Sequence, residues 1–471
     1  MRKPRAFRVA AAPLLMGAML SACALGPDYR PAPPSAAAAG AFVSQPAGTR
    51  GAALPDQWWR LYDDPALDGF IGEAFAANTD LRVAMANLAR ARAILSEARA
   101  GRFPSTTASG GATWGRSTVQ GATVKPQEQW TYQAGFDASW EVDIFGRVSR
   151  SIEAARADAE ALAAARDAAK VSIAAETTRA YVNACALGAS AGIARASLAL
   201  AENSLRIVTA QQRAGSASTL DVERAGVTAA QARAAIAPLE GQRRAALFEL
   251  AALMGRTPSG VPEAAARCTH APELKASIPV GDGTALLRRR PDVREAERRL
   301  AADTARIGVA MADLYPRITL GGSAGYLRND EVRGSNAFSF SLGPLISWSF
   351  PNIAVARARV RQAEAQSQAT LATFDGVVLN ALKETEQALT TYGADLDQRS
   401  ALAEARDRAE RAFDLAQRRY GAGSISYLDV LVAQTSLLDA RLQLATVEQR
   451  LASDRVTLFK ALGGGWQEEA K

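Results

Sequence analysis

Four short runs of the 471-residue chain alternate apolar and polar residues, which is the pattern of a β-strand with one apolar face. The clearest runs are Trp130–Trp140 (WTYQAGFDASW) and Phe338–Phe350, whereas Thr106–Trp114 and Ile318–Tyr326 are weaker and contain more small residues. Each run has about 10 residues, the length that a tilted strand needs to cross a bilayer. We therefore predict strands over about residues 104–115, 129–143, 317–327 and 337–350.

The composition of the two faces favours a membrane wall over the alternative, a soluble antiparallel sheet that packs one face on a core. The polar positions are mostly Ser, Thr and Gly, as in a wall that lines water, and four of the seven Trp lie in these runs. The apolar positions predict lipid-facing aromatic side chains at Trp130, Tyr132, Phe136, Trp140, Phe338, Phe340 and Trp348. Four strands cannot close a barrel, so either the strands lie outside a membrane or several chains close one barrel together.

Two very long segments, residues 148–213 and 353–420, lack proline and predict long helices. At about 1.5 Å per residue, each could extend on the order of 100 Å. The segment after the second one has an apolar residue at every seventh position, which predicts coiled-coil packing of Leu431, Leu438, Ala445, Ala452 and Phe459. Helices of this kind would by themselves fit a coiled-coil spacer.

The chain is an internal duplication, and each copy has the order helix, two strands, very long helix, tight turn and return helix. Two pairs of anchor positions keep their spacing in both copies: Asp80 to Pro104 matches Asp292 to Pro316 (24 residues), and Asp221 to Gly255 matches Asp429 to Gly463 (34 residues). The predicted organisation is a signal peptide at 1–22, a lipidated segment at 23–75, repeats at 76–255 and 284–463, a linker rich in Pro and Gly at 256–283, and a tail at 464–471.

The amino terminus has the order of a secretory signal peptide: basic residues, an apolar run and then Leu20-Ser21-Ala22-Cys23. This tetrapeptide is similar to a bacterial lipobox, in which the cysteine is acylated; ordinary cleavage that leaves Cys23 as a spare thiol is the alternative. The net charge of +7 includes four basic residues of this segment, which leaves +3 and removes most of the support for nucleic-acid binding. An exported lipoprotein with membrane strands and long helices indicates a conduit from the outer membrane into the periplasm.

The chain has little equipment for catalysis or cofactor binding. A single histidine, His270, and three cysteines leave no clustered ligand set for zinc or iron and argue against a Ser-His-Asp mechanism. No glycine-rich loop is followed by Lys-Ser or Lys-Thr, so we expect no nucleotide site. We expect no enzyme activity, no metal and no cofactor except a covalent lipid on Cys23. The thiols of Cys185 and Cys268 could pair in an oxidising compartment or remain separate.

Several motifs resemble those of TolC-like outer-membrane factors, and the lipidated branch of the OprM and NodT type, which serves multidrug efflux pumps, fits best. They are CALGPDYRP from Cys23, Trp58-Trp59-Arg60, Asp64-Pro65, SWEVDIFGR, RRRPDVREAERRLAADTARIGVAMADLYPRITL and RRYGAGSISYLDVLVAQTSLLDARLQL. The resemblance covers essentially the whole mature chain. It implies a mainly α protein with membrane β, in which a homotrimer closes a twelve-stranded β-barrel that continues as a long periplasmic α-helical barrel.

The resemblance also implies a gate at the periplasmic helix turns. Asp429 falls on the position of an acidic ring at the constriction, and Asp221 is its repeat mate. Tyr420 matches a tyrosine that links neighbouring helices in the closed state. Both aspartates also complete Ser-x-x-Asp capping boxes that would start the return helices, and capping alone is the simpler interpretation.

This chain departs from the family at two gate positions. Ile425 replaces a latch arginine found in some members, and Val432 occupies the position of a second acidic ring, so Arg418 or Arg419 could hold the closed state instead. The resemblance places the docking site of the adaptor at the turns around Gly215, Ser216, Gly423 and Ser424.

The function implied by the resemblance is a passive exit duct of a tripartite multidrug efflux system for small amphiphilic molecules. Its partners would be a periplasmic adaptor protein and an inner-membrane proton-driven pump. One alternative is a duct of the same build for type I protein secretion. The other is a lipid-anchored periplasmic coiled-coil scaffold that does not conduct.

Overall fold

The structure is a computed structural model and describes residues 24–31, 36–116, 127–274, 276–351 and 353–464. The predicted signal peptide, the predicted lipidation site Cys23 and residues 465–471 of the predicted tail lie outside these residues. The described chain is mainly helical, with a four-stranded sheet and one short parallel pair of strands.

Both repeats follow the same order of elements. The first contains α1 Pro65–Ala77, α2 Thr79–Ala100, β1 Ser105–Gly115, β2 Gln129–Glu141, α3 Arg147–Arg213, α4 Thr219–Ala234 and α5 Ile236–Leu253. After the linker helix α6 Glu263–Arg267, the second contains α7 Gly283–Arg289, α8 Pro291–Ala312, β3 Arg317–Arg328, β4 Phe338–Ser347, α9 Ile353–Gly421 and α10 Tyr427–Ala461. The minor elements are a helix at Ala36–Ala39, 3-10 turns at Trp58–Tyr62, Pro258–Gly260 and Gly334–Ala337, and the strand pair Thr49–Arg50 with Ile278–Pro279.

The two proline-free segments are continuous helices of 67 and 69 residues, as their sequences predict. The start of α3 is fixed by Asp143, whose carboxylate accepts the amides of Val148 and Ser149, both at 2.8 Å. In the described chain, α3 is the helix long and apolar enough to cross a membrane, but 56% of its most apolar window is buried inside the protein. We therefore interpret α3 as a core helix.

The return segment of the first repeat is broken into α4 and α5, where we expected one helix. The break lies at Ala235. Pro238 explains the break. In a continuous helix its ring would clash with the carbonyl of Ala234, and proline has no amide N–H to donate to that carbonyl. The second repeat has no proline in this segment, and α10 runs unbroken over 35 residues.

The chain divides into two compact units, which we describe separately. The sheet unit comprises Asn87–Ala163, Glu295–Asp375 and the described residues 24–31. Its four strands are antiparallel in the order β1-β2-β3-β4. The register sets Trp114 opposite Trp130 and Tyr326 opposite Phe338, so even-numbered residues of all four strands share one face.

The helical unit contains the rest of the described chain and has a large apolar core. Trp58 is fully buried and stacks on Phe459 with 4.5 Å between ring centroids. Asp64 of the Asp64-Pro65 motif caps α1 and accepts a hydrogen bond of 2.9 Å from the hydroxyl of Tyr181, which connects the start of α1 to α3. The predicted seven-residue repeat of α10 is confirmed, because each of its positions is buried: Leu431, Leu438, Ala445, Ala452 and Phe459.

Candidate channel wall and helix turns

Between its two ends, one face of the sheet carries only apolar, aromatic or small residues, and the described part of the chain leaves it uncovered. Phe340 is 88% exposed, Leu342 79% and Phe338 71%. Large apolar side chains exposed over a whole sheet face are not stable in water and mark a lipid or protein contact. Six of the seven predicted lipid-facing aromatics lie on this face: Trp130, Tyr132, Phe136, Trp140, Phe338 and Phe340.

The opposite face is mostly small and polar. It carries Ser, Thr and Gly at most odd-numbered positions, with Asp137 and Gln133 on β2 and two exposed apolar exceptions at Leu327 and Leu345. The hydroxyls of Ser323 and Ser341 form a hydrogen bond of 2.7 Å across β3 and β4. A sheet with one apolar and one small polar face can separate lipid from water.

The sheet has two open edges. Within the described residues, neither β1 nor β4 pairs with a further strand on its outer side. An open edge exposes a row of unpaired backbone amides and carbonyls, which hydrocarbon does not tolerate. A membrane location of this sheet therefore requires strands from another chain.

The two repeats fasten the end of the sheet nearest the helices in the same way. The indole N–H of Trp140 donates to the carbonyl of Arg102 at 3.0 Å, and that of Trp348 donates to Leu314 at 3.3 Å. Trp348 lies just after β4, which ends at Ser347, so its placement inside a strand was wrong. Tryptophans with a hydrogen-bonded N–H and an exposed ring are typical of membrane interfaces.

Charged residues gather at this same end of the sheet. Glu141 accepts a 2.8 Å hydrogen bond from Arg147, and Asp313 pairs with Arg359 at 3.4 Å. Arg317 lies 3.9 Å from both acidic groups. They line a cavity of about 460 Å³. This concentration of charge next to the apolar face fits a boundary between membrane and water.

The GPDYRP segment is held on α3 and α8 by Arg150. This buried guanidinium donates to the carbonyls of Leu25 and Gly26 at 3.0 and 3.2 Å and to the carboxylate of Asp28 at 2.7 Å. Gly26 has φ +93°, and a Cβ on it would lie 2.5 Å from the Cα of Gly308. Only a glycine pair allows this backbone approach.

The residues on both sides of the Arg150 contacts are fixed as well. The Tyr29 hydroxyl donates to Glu297 at 3.2 Å, and Arg298 lies 5.7 Å above the ring. Burial, followed by the charge of Glu297, raises the pKa of Tyr29 to about 12. At the other end, a Cβ on Gly146 would lie 2.7 Å from the Cα of Ala24. The residue next to Cys23 is therefore held where β2 connects to α3.

The predicted docking turns are tight and nearly identical. Gly215 and Gly423 have φ of +75° and +72°, the left-handed conformation that favours glycine. In each turn the amide of the next serine donates back to a helix carbonyl at 2.9 Å: Ser216 to Gln211 and Ser424 to Arg419. These contacts end α3 and α9 in the same manner.

Both predicted capping boxes are present. Asp221 accepts the amide and hydroxyl of Ser218 at 3.1 and 2.6 Å, and Asp429 accepts those of Ser426 at 3.0 and 2.7 Å. The hydrogen bonds from Ser218 lower the pKa of Asp221. Capping is thus confirmed, and the additional role of these aspartates in an acidic ring stays a prediction.

Tyr420 links α9 to α3 within one chain. Its hydroxyl donates to the side-chain carbonyl of Gln211 at 2.6 Å. Its ring meets Tyr427 edge to face at 5.6 Å, and the Tyr427 hydroxyl lies 3.5 Å from the carbonyl of Ser204. Both members of the Tyr420–Gln211 bond are neutral, so this contact does not need the latch arginine that Ile425 replaces.

The remaining gate positions lie around the same turn. Arg418 and Arg419 are exposed in the last turn of α9, and Val432 is also exposed. Gln434 was not predicted from the sequence; it is fully buried and accepts the hydroxyl of Ser204 at 2.9 Å. The sequence feature that could have identified Gln434 is its polar side chain three positions after Leu431, inside the apolar coiled-coil stripe of α10.

Comparison with known proteins gives consistent matches along the chain. A sequence model of the outer membrane efflux protein family matches residues 70–256 and 284–464. The chain is 31% identical over 462 residues to nodulation protein T of Rhizobium leguminosarum bv. viciae, covering 98% of this chain and 94% of that protein. It is 32% identical over 467 residues to the toluene efflux pump outer membrane protein TtgI of Pseudomonas putida, covering 96% and 98%.

Solved structures are similar over nearly the same length. The outer-membrane channel OprN has a TM-score of 0.87 at 34% identity and covers 95% of this chain and 100% of that structure. The outer membrane protein VceC of Vibrio cholerae has a TM-score of 0.80 at 26% identity, with 88% and 99% covered. The similarity therefore includes both repeats and the linker.

Proposed function

The chain belongs to the outer membrane efflux protein family, and from this premise we propose that it is the exit duct of a tripartite efflux system for small amphiphilic molecules. The toluene efflux protein named above supports a small, poorly polar substrate class. A duct binds substrate weakly and transfers no group, so it needs no catalytic residues. Energy comes from a proton-driven pump in the inner membrane.

The observation that carries the proposal is the uncovered apolar face of a sheet with two open edges. Three copies supply twelve strands, and β4 of one copy pairs with β1 of the next, so no edge remains in the bilayer. The apolar face then contacts lipid, and the face with Ser323 and Ser341 lines the pore. The long helices of the three copies continue this pore as a helical barrel in the periplasm.

A lipid on Cys23 anchors each copy to the outer membrane. The contacts of Arg150 and Tyr29 support this, because they hold residues 24–29 beside the connection between β2 and α3. An acyl chain there starts close to Gly146, at the end of the sheet that carries the charged residues. Lipid chains add about 0.8 kcal/mol of binding per buried CH₂, so they strengthen an attachment that the barrel already provides.

The adaptor protein docks at the turns around Gly215 and Gly423 and favours the open state by binding it more tightly than the closed one. The acidic groups Asp221 and Asp429 at the same end bias the entrance toward cations. Tyr420 holds the closed state through Gln211.

Two substitutions of adjacent residues test the membrane wall. Phe340→Arg places a charge on the lipid face, which costs about 2–4 kcal/mol at the bilayer midplane, whereas Ser341→Arg places the same charge on the pore face. We expect Phe340→Arg to deplete the trimer from outer-membrane fractions, as read by heat-modifiable gel migration. Ser341→Arg should insert normally and reduce single-channel conductance in planar bilayers.

The reverse pattern, or equal insertion of both variants, would contradict the assigned faces. Wild-type monomers without conductance would reject the duct in favour of a scaffold. Deletion of the gene should raise the sensitivity of cells to amphiphilic dyes; a loss of protein secretion with unchanged dye sensitivity would favour the secretion duct.

A further inference from the structure

The linker between the repeats is joined covalently to the helical core. Cys268, in the linker, forms a disulfide with Cys185 of α3, and their Cα atoms are 4.9 Å apart although 83 positions separate them in sequence. Cys185 is fully buried within the apolar core, whereas Cys268 is partly exposed. Cys268 is therefore the more accessible of the two residues to a soluble reagent or enzyme.

Two neighbouring residues, Arg243 and Gly188, position the backbone of Cys268 rather than its sulfur. The guanidinium of Arg243 on α5 donates to the carbonyls of Cys268 and Ala266 at 2.8 and 2.6 Å. Gly188 lies three residues after Cys185 on α3, and a Cβ there would be 2.7 Å from the carbonyl oxygen of Cys268. A glycine inside a helix is unfavourable by roughly 1 kcal/mol relative to alanine, and here the close approach of the linker gives it a purpose.

We propose that Arg243 and Gly188 are positioning residues for an oxidative closure of the linker after export. In the oxidising periplasm, a dithiol–disulfide oxidoreductase supplies the oxidant. The thiolate of Cys268 attacks the disulfide of that enzyme and forms a mixed disulfide. The thiolate of Cys185 then displaces the enzyme, so two thiols lose two protons and two electrons, and the enzyme leaves as a dithiol.

The closure has a structural consequence for the linker. Residues 256–283 have few regular elements, and helix α6 has only five residues. One covalent bond and the two carbonyl contacts of Arg243 fix the middle of this segment on the core. We expect the reduced protein to keep its helices and its sheet but to expose the peptide bond after Arg267 to trypsin.

The test counts free thiols on the intact lipoprotein in outer-membrane fractions. A maleimide polymer should label neither Cys185 nor Cys268 before reduction and both after reduction and unfolding, as located by mass spectrometry. Trypsin should cut after Arg267 much faster in the reduced protein. Labelling of both cysteines without reduction would overturn the disulfide. Label on Cys23 alone would instead indicate a missing lipid and would leave the disulfide intact.

The positioning roles have their own matched variants. Arg243→Met should slow disulfide formation about tenfold in a pulse-chase with thiol trapping, since it removes a hydrogen bond to the Cys268 carbonyl. Gly188→Ala should slow it as well, since its Cβ would lie 2.7 Å from the same carbonyl oxygen. Arg244→Met changes an adjacent exposed arginine and should leave the rate unchanged. Equal rates in Arg243→Met and Arg244→Met would overturn the role of Arg243. Because the readout is chemical, failure here leaves the duct proposal standing.

Discussion

Removal of one hydroxyl at the helix turns tests the proposed gate most directly. Tyr420→Phe deletes the group that donates to Gln211 at 2.6 Å and keeps the ring that packs on Tyr427. The bond joins α9 to α3, which must separate or slide if the turn region opens. The substitution leaves no buried charge behind, because both partners are neutral.

The size of the effect follows from the number of copies. A neutral hydrogen bond contributes about 1 kcal/mol net. Three equivalent bonds that break together in a trimer give about 3 kcal/mol, which corresponds to a shift of roughly 100-fold in the closed-to-open equilibrium. Tyr427→Phe is the matched control, since its hydroxyl lies 3.5 Å from the Ser204 carbonyl and contributes little.

Single-channel recording in planar bilayers measures this equilibrium as the fraction of time that the channel is open. We expect Tyr420→Phe to raise the open fraction strongly and Tyr427→Phe to leave it near the wild-type value. An unchanged open fraction in Tyr420→Phe, or the same rise in both variants, would refute the assignment. Thermal unfolding of both variants should be compared, because a general loss of stability would affect them alike.

Three further predictions concern charge, packing and pH. Asp429→Asn should lower the cation selectivity of the channel more than Asp221→Asn, since both lose the same capping carboxylate and only Asp429 matches the acidic-ring position; unchanged selectivity in Asp429→Asn would leave capping as the only role of this residue. Trp58→Ala should lower the free energy of unfolding by about 3–5 kcal/mol in denaturant titrations, because it empties the core above Phe459. Burial, followed by Asp395, raises the pKa of Asp454 from 3.8 to about 7, so the folded chain binds a proton there that the unfolded chain has released. Stability should therefore fall as pH rises through this window, and Asp454→Asn should remove that fall from a series of melting temperatures.

Local sequence patterns predicted much of the fold, because each of them depends only on the spacing of residues within one segment. The alternation in WTYQAGFDASW predicted β2 and the face of its aromatic residues, and the lack of proline predicted α3. The break at Ala235 could have been predicted from Pro238, since a proline acts on the helical turn that precedes it. Trp348 was misplaced because the alternation continues past Ser347, where the hydrogen bonds of the strand stop.

The sequence by itself determined the strands, the long helices, the duplication and the capping boxes, because neighbouring residues in one element decide each of them. The tertiary structure decided which residues from distant segments meet. It aligned the even-numbered positions of four strands on one face, brought Arg150 to the carbonyls of Leu25 and Gly26, and paired Cys185 with Cys268. These contacts depend on strand register and on close backbone approach at glycines such as Gly188 and Gly308, and spacing along the chain does not encode either.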